Sequence, residues 1–107
     1  MKNGLTLAVA AWVALTSQTA AQDADIEAGA AYAKKVCAAC HAVLANEQIS
    51  PLLQAPTFQA VADTPGMTEM ALTVWLQSSH PTMPNIVLEP DDMRNVVAYI
   101  RSLESKD

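Results

Sequence analysis

The sequence predicts an all-α protein. Three stretches carry apolar or alanine-rich faces at helical spacing, two irregular stretches punctuated by proline separate them, and no strand-like alternation occurs beyond Asn85 to Leu88. At 107 residues the chain holds one domain and one core. No internal repeat and no low-complexity tract is present.

The first segment is not part of that domain. Met1 to about Ala21 opens with one cation, Lys2, continues as an apolar run from Leu5 to Leu15, and turns small and polar through Thr16, Ser17, Gln18, Thr19, Ala20 and Ala21. This order predicts a secretory signal peptide over residues 1–21, cleaved after Ala21, with Ala20 the neighbouring alternative. The apolar run is too short to cross a bilayer, so no membrane span is expected after cleavage. The remaining domain, 22–107, keeps five basic against eleven acidic side chains, a net charge of about −6. That balance argues against nucleic acid and anionic membrane surfaces, and favours basic partners.

Along the mature chain, an acidic start from Asp23 to Glu27 leads into an alanine-rich run ending in Lys34 and Lys35, which predicts a first helix reaching Val36. Between His41 and Asp63 no period persists and Pro51 and Pro56 interrupt, so a loop with a short helical turn near Phe58 to Ala62 is expected. Thr64, Pro65 and Gly66 mark a turn. Thr68 then caps a helix over Met70 to Gln77 with Leu72, Trp75 and Leu76 on one face. After an irregular stretch from His80 to Glu89, Pro90 with Asp91 and Asp92 opens the last helix, whose apolar face is Met93, Val96, Val97, Ile100 and Leu103. The total is three to four helices.

The chemistry concentrates at Cys37-Ala38-Ala39-Cys40-His41, a Cys-x-x-Cys-His sequence and the attachment signature of covalent c-type haem. Two thiols three positions apart on one turn reach two vinyl groups as thioethers, and the next residue offers an imidazole to the iron. Export agrees, since this attachment takes place outside the cytoplasm. A thioredoxin-type dithiol would want a βαβ context, and a zinc site would want two further ligands. The only other histidine is His80, and no other cysteine exists.

For the sixth iron position the mature chain offers Met67, Met70, Met83 and Met93. Met70 and Met93 sit on predicted helices where packing explains them, and Met67 directly follows a turn. Met83 lies in Ser79-His80-Pro81-Thr82-Met83-Pro84-Asn85, a segment stiffened by two prolines that suits presentation of a thioether to the haem face opposite His41. His80 is the rival ligand, or else a solvent-facing loop residue.

From about Gly29 to Leu103 the chain resembles the class I cytochrome c family, small all-α electron carriers with the signature near the N-terminus and a methionine ligand near the C-terminus. The resemblance implies a small cytochrome c fold wrapped around one covalent haem c, its N- and C-terminal helices crossing at Gly29 against Val96 and Tyr99. It implies that the carbonyl of Pro56 accepts a hydrogen bond from the proximal His41. It also implies that Trp75 and Leu76 line the methionine side of the pocket. Two departures stand out: Ala55 occupies the place of the usual glycine, and no arginine or lysine lies between His41 and Arg94. The basic partner of a haem propionate is therefore unassigned.

With both axial positions filled, the expected function is periplasmic single-electron transfer with no enzymatic activity. Redox proteins are the implied partners: a dehydrogenase or quinol-oxidising complex as donor, and an oxidase or another cytochrome as acceptor. The alternatives are a cytochrome subunit of a larger periplasmic dehydrogenase, and a gas- or peroxide-binding haem protein in which Met83 is displaced. Lys34 and Lys35 either mark a docking rim or complement the end of the first helix, the latter being the reading preferred.

Overall fold

The computed structural model describes residues 3–4, 8–14 and 23–106. Four α-helices follow in order: α1 (Ile26–Tyr32), α2 (Phe58–Ala62), α3 (Glu69–Gln77) and α4 (Pro90–Ser102). Among the described residues no strand forms, and Asn85 to Leu88 is irregular. The described part of the N-terminal segment has no regular element, and Val9, Trp12 and Val13 are exposed. The expected cleavage site at Ala21 lies outside the described residues.

Helix α1 starts later than its acidic composition predicts. Asp25 is its N-cap, with a carboxylate oxygen accepting from the Ala28 N–H at 2.9 Å. Its far end departs further from expectation. From Ala33 to Cys37 the chain widens into a π turn, in which the Ala38 N–H donates to the Ala33 carbonyl at 3.0 Å. Single π turns of this kind occur inside α-helices near functional sites. This one carries the chain to Cys37.

Helices α1 and α4 form the main packing seam. A Cβ placed on Gly29 would lie 2.0 Å from the Asn95 carbonyl oxygen and 2.9 Å from the Tyr99 Cβ. The close approach expected at Gly29 is therefore made to the Asn95 backbone and Tyr99, while Val96 is fully buried in the core beside them. Asn95 also accepts the Asp25 N–H at 2.8 Å, which fixes the two helices in register. Pro90 opens α4 with Asp91 and Asp92 in the first turn, and its buried face is Met93, Val96, Val97, Tyr99 and Ile100. These pack with Ala33, Val43, Phe58, Ala62 and Leu72 as one core.

The turn before α3 has Pro65 at its second position and Gly66 at its third, where φ is +79°, and the Met67 N–H returns to the Thr64 carbonyl at 3.1 Å. That is the residue pattern a type II turn demands. Thr68 then caps α3 by accepting from the Ala71 N–H. Met70 points into solvent, and of α3 only Leu72 is buried. Met67 is half-buried against the core.

The C-terminus is tied down through α2. Asp63 accepts the Ser105 N–H at 2.7 Å and the Gln59 amide at 3.0 Å, while Gln59 also donates to the Leu103 carbonyl. The Ser105 N–H first, then the Gln59 amide and the Ser105 hydroxyl, hold the Asp63 carboxyl below its usual range against a smaller opposing effect of burial. A carboxyl depressed in the folded state stabilises above its unfolded pKa of about 4, and this contribution disappears as pH falls through the folded value. Asp63→Asn is thus expected to lower the melting temperature at neutral pH, with the gap to wild type closing in acid. Melts across that pH range test this, and a pH-independent gap would refute it.

Candidate functional site

The signature residues sit where the π turn ends. Cys37 is its last residue and is half-buried, and the chain then closes on itself, with the Cys40 and His41 N–H groups both donating to the Cys37 carbonyl, at 3.2 and 3.0 Å. The two cysteines form no disulfide. Burial pushes the Cys37 thiol above its ordinary pKa.

The loop that follows is held from several sides. The Leu52 N–H donates to the Cys40 carbonyl at 3.1 Å, the Phe58 N–H to the Ala42 carbonyl at 2.8 Å, and the Ala42 N–H to the buried Ser50 hydroxyl at 3.0 Å. The Tyr99 hydroxyl, which burial and then Glu47 push above the usual phenol pKa, donates to the Val43 carbonyl at 2.6 Å. Phe58 fills the space beneath, its ring 5.5 Å from that of His41 and 6.4 Å from that of Tyr99. His41 is thereby braced by a core aromatic ring.

His41 Nδ1 lies 2.6 Å from the Pro56 carbonyl oxygen. A carbonyl only accepts, so Nδ1 carries the proton and Nε2 is the nitrogen left with a free lone pair. Metal-binding histidines are oriented in this way.

Met83 lies on the irregular segment between α3 and α4. It lines a cavity of about 380 Å³ with Leu76, His80, Ile86, Leu88 and Met93, among others. Leu76 therefore shares a pocket with Met83. Trp75 is 54% exposed, and its ring stacks on His80 at a centroid distance of 5.0 Å and an interplanar angle of 13°. His80 is half-buried in that stack and not simply solvent-facing. Met93 combines a core position with a place in the cavity wall. Its helical spacing signalled the first and gave no signal of the second.

The residues present fit a covalent haem. Two unpaired thiols three positions apart are followed by an imidazole whose Nδ1 is already committed. Ile49, Leu52 and Leu53 on the loop after His41, Trp75 in the last turn of α3 and Val87 on the segment after Met83 expose large apolar surfaces. Uncharged side chains of this kind suit an apolar macrocycle better than water. Among the described residues no three His, Cys, Asp or Glu side chains gather as a metal cluster.

Comparison with known proteins gives the same answer. The cytochrome c family model matches residues 26–104. The chain is 38% identical over 99 residues to cytochrome c-552 of Bradyrhizobium diazoefficiens, covering 92% of this chain and 89% of the relative. No solved structure gives a significant match. With the Cys-x-x-Cys-His turn, the four-helix fold and the family match in agreement, the chain belongs to the cytochrome c family, as a class I c-type cytochrome carrying one covalent haem.

Proposed function

We propose that the chain is a periplasmic single-electron carrier: residues 1–21 are removed on export, Cys37 and Cys40 form the thioethers, and His41 and Met83 are the axial ligands. The hydrogen bond from His41 Nδ1 to the Pro56 carbonyl carries this reading, because it leaves Nε2 for the iron. Met83 supports it as a half-buried thioether on a cavity that it shares with Leu76, Ile86, Leu88 and Met93, from a segment with Pro81 and Pro84. Leu76 would line the haem beside it. The leader-like N-terminus and a haem signature that is loaded outside the cytoplasm support export, and no helix among the described residues is long and apolar enough to cross a membrane.

When bound, the haem supplies reversible one-electron exchange between ferric and ferrous iron. The chain's own work is to clamp it: His41 is fixed in tautomer and angle by Pro56, Phe58 braces the ring, and the apolar loops exclude water. A sixth position held by Met83 leaves no open site for a substrate, and this sets the reading apart from a gas- or peroxide-binding protein. Contact with donor and acceptor proteins is expected to be small and transient.

Met83→Ala and His80→Ala, loaded with haem, test the ligand assignment. Ferric wild type and His80→Ala are expected to show the weak long-wavelength band of methionine sulfur on iron, and Met83→Ala to lose it. Persistence of the band in Met83→Ala, or its absence from wild type, would overturn the assignment.

A further inference from the structure

The segment carrying Met83 is weakly held by its own backbone. No residue from 79 to 88 makes a hydrogen bond to another described residue; the last such contacts are the Ser78 N–H and hydroxyl on the Trp75 and Val74 carbonyls, and the next is the Met93 N–H on Glu89. Ten consecutive residues with no hydrogen bond to another described residue form a strap that opens at small cost. Leu88 packs against the core at the far end of the strap, and near Met83 one aromatic contact crosses to a regular element: His80, three positions before Met83, lies flat on Trp75 in the last turn of α3. Trp75 is itself placed by Leu72 and Leu76, which seat α3 on the core side.

We infer that the Trp75–His80 stack is a clasp that positions Met83, holding the strap closed over the iron. The inference rests on the reading of Met83 as axial ligand and adds to it a residue pair that acts through the strap. Trp75 then need not touch the haem to matter for it. The aromatic plane of His80, and not its ability to ligate, is what the clasp uses, so any flat ring at position 80 should serve. His80 and Met83 also line the same cavity, so loosening the stack loosens its wall.

The test is the rate at which added imidazole displaces the native ligand from the ferric holoprotein, which is limited by strap opening, measured beside the long-wavelength methionine band and the melting temperature. His80→Ala is expected to keep the band and to exchange roughly two- to tenfold faster, the range an aromatic pair contributes. His80→Phe is expected to restore the wild-type rate, and Trp75→Ala combined with His80→Ala to exchange no faster than His80→Ala alone, since the pair is one interaction. An unchanged rate in His80→Ala, or His80→Phe as fast as His80→Ala, overturns the clasp. A wild type without the methionine band overturns the ligand assignment instead, so the two failures are distinguishable. A rate that changes only in proportion to melting temperature, across these variants and a remote destabilised control such as Asp63→Asn, reduces the stack to general stability and also overturns the clasp.

Discussion

Gly29→Ala is expected to be among the most damaging single substitutions in the chain, although it adds one methyl group and improves helix propensity. The added Cβ would sit 2.0 Å from the Asn95 carbonyl oxygen, a backbone atom that moves only if α4 moves. Overpacking of this kind costs about 3 kcal/mol, and the gain of about 1 kcal/mol from replacing glycine in a helix offsets only part of it. A net loss of about 2 kcal/mol lowers the melting temperature of a domain this size by roughly 8–16 °C. Because α1 leads through the π turn into Cys37, the displaced seam is also expected to reduce the yield of haem-loaded protein. Calorimetry of the holoprotein checks the first effect, and the haem-to-protein ratio after expression checks the second. A melting temperature within a degree or two of wild type would mean that the crossing is looser than described.

Phe58→Ala removes the ring on which both His41 and Tyr99 rest. The side chain is 5% exposed, and its loss is expected to cost about 3–5 kcal/mol through lost burial and the cavity left behind. In a small domain that is a large share of total stability. Phe58→Leu, which keeps most of the volume, should recover most of that loss. Chemical denaturation of the three proteins measures the differences directly. Equal loss in both variants would show that ring contacts with His41 and Tyr99, and not volume, are what the site requires.

These two residues also show where sequence reading reached and where it stopped. The Pro90 start of α4, the Thr68 cap, the Pro65-Gly66 turn and the short helix at Phe58–Ala62 each depend on local chemistry within a few residues, and each is present where the pattern predicts it. Cys37, Cys40 and His41 were legible because the attachment chemistry demands a fixed spacing. The contact between His41 and Pro56 came from resemblance, since nothing in fifteen residues of loop reveals that two atoms meet.

Long-range and packing effects were hidden. The π turn has no composition signal, because Ala33 is fully buried and the widening is decided by what α1 must fit against. Trp75 shares the predicted apolar face of α3 with Leu72 and Leu76 and is still exposed, since only Leu72 of that helix is buried in the core. The stack of Trp75 on His80 was hidden as well, because that partner depends on how the following loop folds back. The ties from Asp63 and Gln59 to the last residues are likewise a product of tertiary structure.

The central claim is that the iron of this cytochrome is closed at both axial positions and exchanges single electrons. An optical redox titration of the mature holoprotein, run with and without carbon monoxide, tests it most directly, because a gas that binds only ferrous iron must raise the midpoint, by an amount that grows with the logarithm of its affinity. The account predicts one reversible one-electron transition whose midpoint is the same in both titrations. A midpoint that climbs when carbon monoxide is present would contradict it, and would identify a haem protein that binds small ligands.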